Sequence, residues 1–174
     1  MPVLNCVRAG RKNENYLENL IWRFFTDERV VVRKAFGVCD ASPQTVTDSF
    51  YTLKKAYNKL TLINVHCMEL IIEYEYGMSA ANMLADLLGS YLYSQGFQSM
   101  IAILDTGNEF VVVVALNAVS FINGKLFHDN NATYIQIFNL LKSKMPYGWD
   151  VRATDNTFFG PGMGREQYVH GYLV

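Results

Sequence analysis

Residues 102–120 read AILDTGNEFVVVVALNAVS, and their pattern decides the fold. Two strand-like runs, 100–104 and 109–116, flank a turn at Asp105-Thr106-Gly107-Asn108. Such closely linked runs form an antiparallel hairpin, since parallel neighbours need a long crossover. Residues 110–116, FVVVVAL, carry no polar side chain on either face. A strand that is apolar on both faces needs cover on both sides. If Val111 and Val113 faced an open groove, they would form an exposed β-branched patch prone to aggregation. The expected cover is the segment 168–174 or a second copy of the chain.

Working outward, residues 15–26 (NYLENLIWRFFT) place apolar side chains at Tyr16, Leu17, Leu20, Ile21, Phe24 and Phe25, the spacing of an amphipathic helix. Residues 30–32 are a short β-branched run, and Gly37 breaks the pattern that follows. Ser42 and Pro43 suit the N-cap and N1 positions of a second helix through 45–57. Residues 60–76 read as a strand ended by Gly77. Ser79 is the expected cap of a third helix reaching about Ser94, with Gly96 closing it. After the central hairpin, residues 119–127 read as a further strand pair turning at Asn123-Gly124. A fourth helix is expected over 131–145, stopped by Pro146, and a short strand over 149–151. The tail contains Gly160-Pro161-Gly162-Met163-Gly164 and reads as a loop before an apolar segment. The predicted fold is α+β: a central antiparallel sheet of about five strands, with helices packed mainly on one face. The predicted division is a domain over 1–156 and a tail over 157–174 that packs on the domain or a partner.

Composition bounds the function. Half of the 174 residues are apolar and 14% are aromatic, which argues for a folded globule over a disordered chain. No apolar run reaches the ~18–20 residues needed to span a bilayer, and the N-terminus lacks a secretory h-region. Cys6, Cys39 and Cys67 are widely spaced, with no CxxC or Cys/His cluster, so they read as reduced thiols of a cytoplasmic protein. No cofactor and no membrane contact is expected. Residues 1–60 carry ten Lys/Arg against six Asp/Glu, whereas 61–174 carry five against ten. Any nucleic-acid contact is therefore expected from the N-terminal third.

Several segments resemble one family. Gly37-Val38-Cys39-Asp40-Ala41-Ser42-Pro43-Gln44-Thr45, with Phe50 and Leu53-Lys54-Lys55-Ala56-Tyr57, is similar to a conserved region of plasmid mobilisation relaxases. Residues 70–76, followed by Gly77-Met78-Ser79-Ala80-Ala81, resemble the strand and turn that follow it there. Asn117-Ala118-Val119-Ser120-Phe121, Gly124-Lys125, Phe127-His128, Tyr134 and Leu140 match the family's "N-A/S-V-S-F…G-K-K-F-H…Y…L" run. The resemblance covers roughly residues 20–155, and the order and spacing of its segments give it its specificity.

The resemblance implies an HUH endonuclease. Such relaxases hold a divalent metal with histidines on a central strand, and a tyrosine from the N-terminal helix attacks a phosphate of single-stranded DNA. A strand turns residues i and i+2 to one face, so an H-x-H pair converges on one ion. The metal then neutralises phosphoryl charge while the nucleophile is held in line. Anchored on Asn117, the family's H-x-H-x-H pattern falls on Glu109, Val111 and Val113, and its upstream histidine near Leu104. The nucleophile's segment resembles Phe24-Phe25-Thr26-Asp27-Glu28-Arg29, which puts Phe24 at the nucleophile's place. Phenylalanine has no oxygen to attack phosphorus, valine binds no metal, and no histidine lies between His66 and His128. The expected protein is a relaxase-like pseudoenzyme of a bacterial mobile genetic element, with an accessory or regulatory role in plasmid mobilisation or conjugation. The expected partners are DNA, a second copy of the chain, or a relaxosome-type protein.

Two other classes stay open. A divergent active nuclease would use Tyr16, two turns before Phe24, as nucleophile, with Asp105 and Glu109 as oxygen ligands for magnesium. An interaction module would bind protein and no nucleic acid. Arg29, Arg33, Lys34, Lys54 and Lys55, with Lys59, are the candidates for DNA contact; a solvated surface is their bland reading. Asn117 is expected to be buried and bonded to backbone, and His128 to have a structural role. His66 is expected in the core or at a sheet edge, and His170 has no suggested partner.

Overall fold

The computed structural model describes residues 3–7, 16–60, 65–128, 131–144 and 152–153. In chain order these form β1 (Val3–Val7), α1 (Tyr16–Thr26), β2 (Val30–Phe36), α2 (Pro43–Ala56), β3 (Val65–Glu73), α3 (Gly77–Ser94), β4 (Ser99–Asp105), β5 (Glu109–Asn117), α4 (Asn131–Lys144) and β6 (Arg152–Ala153). They build one sheet of order β2-β4-β5-β3-β1-β6. Every neighbouring pair is antiparallel except β1 and the two-residue β6, which run parallel. The α+β class and the antiparallel sheet agree with the sequence reading. β1 was not foreseen: it pairs with β3 from Val3↔Ile71 to Val7↔Cys67. The segment 157–174 and the strand expected at 149–151 lie outside the described residues.

The hairpin of β4 and β5 forms the middle of the sheet, with seven consecutive pairs from Ser99↔Leu116 to Asp105↔Phe110. Strand alternation sorts its side chains onto two faces. Ile101, Ile103, Val112, Val114 and Leu116 join Met68, Leu70 and Ile72 of β3 beneath α3 and α4. Met100, Ala102, Leu104, Val111, Val113 and Ala115 join Cys67 and Ile71 against Leu17, Leu20, Ile21 and Phe24 of α1 and Val46 and Phe50 of α2. Helices therefore cover both faces, where cover mainly on one face was expected. The reason lies in β5, whose residues Phe110 to Asn117 are all buried. Of the expected cover for Val111 and Val113, the segment 168–174 lies outside the described residues. The helix pair α1 and α2 of the same chain buries both valines.

Local chemistry places α2. The Thr45 N–H donates to Ser42 Oγ at 3.1 Å and the Ser42 N–H to Thr45 Oγ1 at 3.0 Å, a reciprocal capping box with Pro43 opening the helix. β3 stops at Glu73, short of the expected Tyr76, and a 3-10 turn over Tyr74–Tyr76 winds directly into α3. Tyr74 stacks on Phe110 with ring centroids 4.7 Å apart. α3 thus begins before Ser79, and its N-cap position, Tyr76, makes no side-chain cap hydrogen bond.

The strand pair expected over 119–127 reduces to one bridge, Val119↔Leu126. Within the loop the Ser120 N–H donates to Lys125 O at 2.9 Å and the Phe127 N–H to Ala118 O at 2.8 Å, and elements outside it take further backbone groups. The Phe121 N–H donates to Gly96 O at 2.8 Å, Tyr57 OH donates to Phe121 O at 3.3 Å, and Lys59 Nζ donates to Gly124 O. Gly124 has φ +68° and packs on the Tyr57 ring, where a Cβ would sit 2.2 Å from a ring carbon. Both the backbone conformation and the lack of room require glycine there.

Candidate active-site region and basic surface

The four apolar residues aligned with the relaxase nucleophile and metal ligands come from three elements. Phe24 lies in the last half of α1, Leu104 near the end of β4, and Val111 and Val113 in β5. β4 and β5 set Leu104 directly opposite Val111. Val111 and Val113 are two residues apart and share a face. All four belong to one hydrophobic cluster, and each is fully buried. The cluster is apolar apart from the Cys67 thiol, and the buried carboxylate of Glu69 stands beside it on β3, paired in register with Val113.

Glu109 stands apart from that cluster at the start of β5, partly buried and paired in register with Glu73. Its backbone closes the β4–β5 turn: Thr106 N–H and Thr106 Oγ1 donate to Glu109 O at 3.1 and 3.0 Å. The Asp105 carboxylate accepts the Gly107 N–H at 2.8 Å and Tyr74 OH at 3.4 Å. These contacts make Asp105 a turn-fixing residue. Among the described residues, no three His, Cys, Asp or Glu side chains gather as a metal-holding group. Tyr16 opens α1, but its side chain lies outside the described part of the structure. The same holds for His66, placed in β3 opposite Leu116, and His170 lies outside the described residues. His128 is exposed just after the 118–127 loop.

Asn117 ends β5 with 1% exposure. Its Nδ2 donates to Phe50 O at 3.2 Å and to Gln98 Oε1 at 2.9 Å, while its Oδ1 accepts the Val119 N–H at 3.3 Å. Gln98 Nε2 continues the chain to Gly37 O at 2.9 Å. This network ties α2, the strand β4 entrance and the residue after β2 to the sheet, and it uses both ends of the amide.

Most of the basic candidates lie against local partners. Arg33 and Lys34 are adjacent on β2, so strand alternation sends them apart. The Arg33 guanidinium lies over the Phe25 ring of α1, 4.3 Å from its centroid. Lys34 turns to α3, with Nζ 2.7 Å from Asp86 Oδ1 and 3.4 Å from Asn82 O. Arg29 folds back on Asp27, with Nη2 2.6 Å from Oδ2 and Nε 3.0 Å from Oδ1. That hydrogen bond holds the Asp27 carboxyl below the usual carboxylate range, against a smaller opposing effect of burial. Lys54 is only 3% exposed, and its ammonium lies 5.9 Å from the Tyr51 ring centroid. Burial lowers its pKa. Lys55 is exposed on the next position of α2.

An open groove of about 570 Å³ was not anticipated. It lies along α2, between Thr45, Asp48, Ser49 and Thr52 on one side and Cys39 and Gln98 on the other. Three of its polar side chains bond within the chain. Thr45 Oγ1 donates to Cys39 O at 3.1 Å, Ser49 Oγ to Thr45 O at 2.7 Å, and Gln44 Nε2 to Asp48 Oδ1 at 2.8 Å. Hydroxyls at 45, 49 and 52 were the available sequence signal, at helical spacing on one face.

Among the described residues, no helix is long and apolar enough to cross a membrane. No protein-family model, curated protein or solved structure matches this chain.

Proposed function

We propose that this chain is a non-catalytic, relaxase-like protein with an accessory or regulatory role in mobilisation of a bacterial genetic element, exerted by binding a partner or DNA. One observation carries the reading. Phe24, Leu104, Val111 and Val113 are spread over ninety residues of sequence, yet they meet in one buried cluster. These are the positions that the resemblance assigns to a nucleophile and metal ligands. Apolar replacements at all four turn a site that needs polar atoms into core packing, and function then has to reside elsewhere. The spread of charge favours partner binding over DNA, because Arg29, Arg33, Lys34 and Lys54 are each turned to a different local contact.

The test uses the full chain with labelled single-stranded DNA, with and without magnesium or manganese, beside a Tyr16→Phe variant. The expected result is no cleavage by either protein. Metal-dependent cleavage that disappears in Tyr16→Phe would establish the divergent nuclease instead. Titration of the same DNA across salt concentrations separates the remaining roles. A DNA-binding accessory factor loses affinity steeply with salt, whereas no binding at low salt leaves a protein partner.

A further inference from the structure

β2 ends the sheet, and among the described residues β4 is its sole strand partner. Along its outer side the backbone therefore presents unpaired N–H and C=O groups at alternate residues. Native edges are commonly protected by bulges or by charges standing over the strand. Here the bulge lies at the beginning, between Val30 and Val32, and the register then runs unbroken from Val32↔Ile103 to Phe36↔Ser99. Both charges are drawn off the edge. Lys34 is held by Asp86 on the α3 side, and the Arg33 guanidinium lies flat on Phe25 on the α1 side. Arg33 is exposed, and no carboxylate among the described residues forms an ion pair with it. Apolar side chains stand nearby: Val31 is 49% exposed, and Trp22, one helical turn before Phe25, is 51% exposed.

We propose that the outer edge of β2 accepts an extended acidic segment of another protein as an added strand. Main-chain hydrogen bonds along 32–36 would supply the ladder, and alternate side chains the selectivity. Charge chooses the occupant. No carboxylate lies between Glu28 and Asp40, and both charged residues of the strand are cations. Full-length antiparallel pairing with a second copy sets Arg33 opposite Arg33, and like charges directly opposite are destabilising. A strand with glutamate or aspartate at that position meets the planar guanidinium instead, while an apolar neighbour reaches Val31 and Trp22. The proposal stands apart from the reading of the apolar cluster and does not need it.

The experiment uses the full chain labelled with ¹⁵N and a capped seven-residue peptide of alternating valine and glutamate. Its control is the same peptide with lysine for glutamate. The expected result is a saturable shift of the amides at 32–36 by the acidic peptide and none by the basic one. Arg33→Glu should weaken the acidic peptide about fivefold and admit the basic one, with Arg33→Gln intermediate. Unchanged spectra elsewhere show that each variant is folded. Absence of shifts, equal binding of both peptides, or indifference to Arg33→Glu would overturn the proposal. So would a wild-type dimer, by sedimentation, whose β2 amides are already protected from exchange. Oligothymidylate moving the same amides where the acidic peptide does not would assign the edge to nucleic acid and end the proposal as well.

Discussion

Arg29 closes both side-chain and backbone hydrogen bonds on Asp27, two residues away, and the turn they make delivers the chain from α1 into β2. The Val30 N–H donates to Asp27 O at 3.0 Å, and the Asp105 N–H to Arg29 O at 2.8 Å, so the same turn also anchors the end of β4. Because Asp27 titrates below its unfolded value, the pair's contribution is fully present above the unfolded carboxylate pKa and is lost as pH falls through the lower folded value. Asp27→Asn should therefore cost about 0.5 kcal/mol near pH 7, a small figure because solvent screens a partly exposed pair. As pH falls from the unfolded carboxylate value through the lower folded one, the difference from wild type should shrink toward zero. Urea unfolding midpoints at pH 7 and pH 3 measure this, and a constant difference at both would remove the assigned cause. None of this pairing requires the fold to be known: an Asp two residues before an Arg after a helical stretch invites a local turn. A sequence reader counting Arg29 toward a DNA surface misses that its charge is met at home.

At the scale of elements, what the sequence made legible was local. The Ser42-Pro43 start of α2, the two runs of the central hairpin and the apolar stripe of α1 are written in contiguous residues. The need for cover on both faces of β5 was equally legible in FVVVVAL. Which element would supply it was not, since an amphipathic stripe says that a helix is buried without naming the sheet face it buries against. β1 escaped for a related reason. It is five residues long, and its place between β3 and β6 comes from pairing with residues sixty or more positions away. The contact between α3 and β2 is another long-range fact. Gly89 lies within α3, where alanine would ordinarily be better by about 0.8–1.0 kcal/mol. Here an added Cβ would sit 2.0 Å from Phe36 Cε2 and 2.3 Å from Cζ, so the ring has to move. Gly89→Ala should destabilise by about 1–3 kcal/mol, the usual range for overpacking. In a Phe36→Leu background the same change should cost much less or stabilise. A double-mutant cycle in urea measures the coupling. Equal effects in both backgrounds would mean that Phe36 is not what excludes a side chain at 89.

For the whole molecule, the two-sided core covers the middle of the sheet on both faces. One face packs on α3 and α4, the other on α1 and α2, and residues 110–117 of β5 are buried throughout. The sequence disclosed that histidines were absent; it did not disclose that Phe24, Leu104, Val111 and Val113 would occupy one volume. That convergence depends on the β4–β5 register and on where α1 lies. It also yields a test of the packing itself. A histidine pair placed at Val111 and Val113 would bury imidazoles in a mostly apolar cluster, with the Glu69 carboxylate opposite Val113 as the neighbouring acceptor. The double variant Val111→His/Val113→His should lose about 3–5 kcal/mol, the range of severe core lesions. A size-conserving apolar change in the same cluster, Leu104→Met, should cost under about 1.5 kcal/mol. Urea unfolding with a circular-dichroism readout separates the two outcomes. A histidine pair as stable as the wild type would place these positions in a solvent-accessible cleft and undo the account of the filled site. A loss confined to the histidine variant identifies the cluster as core, intolerant of the polar atoms that nicking chemistry would require.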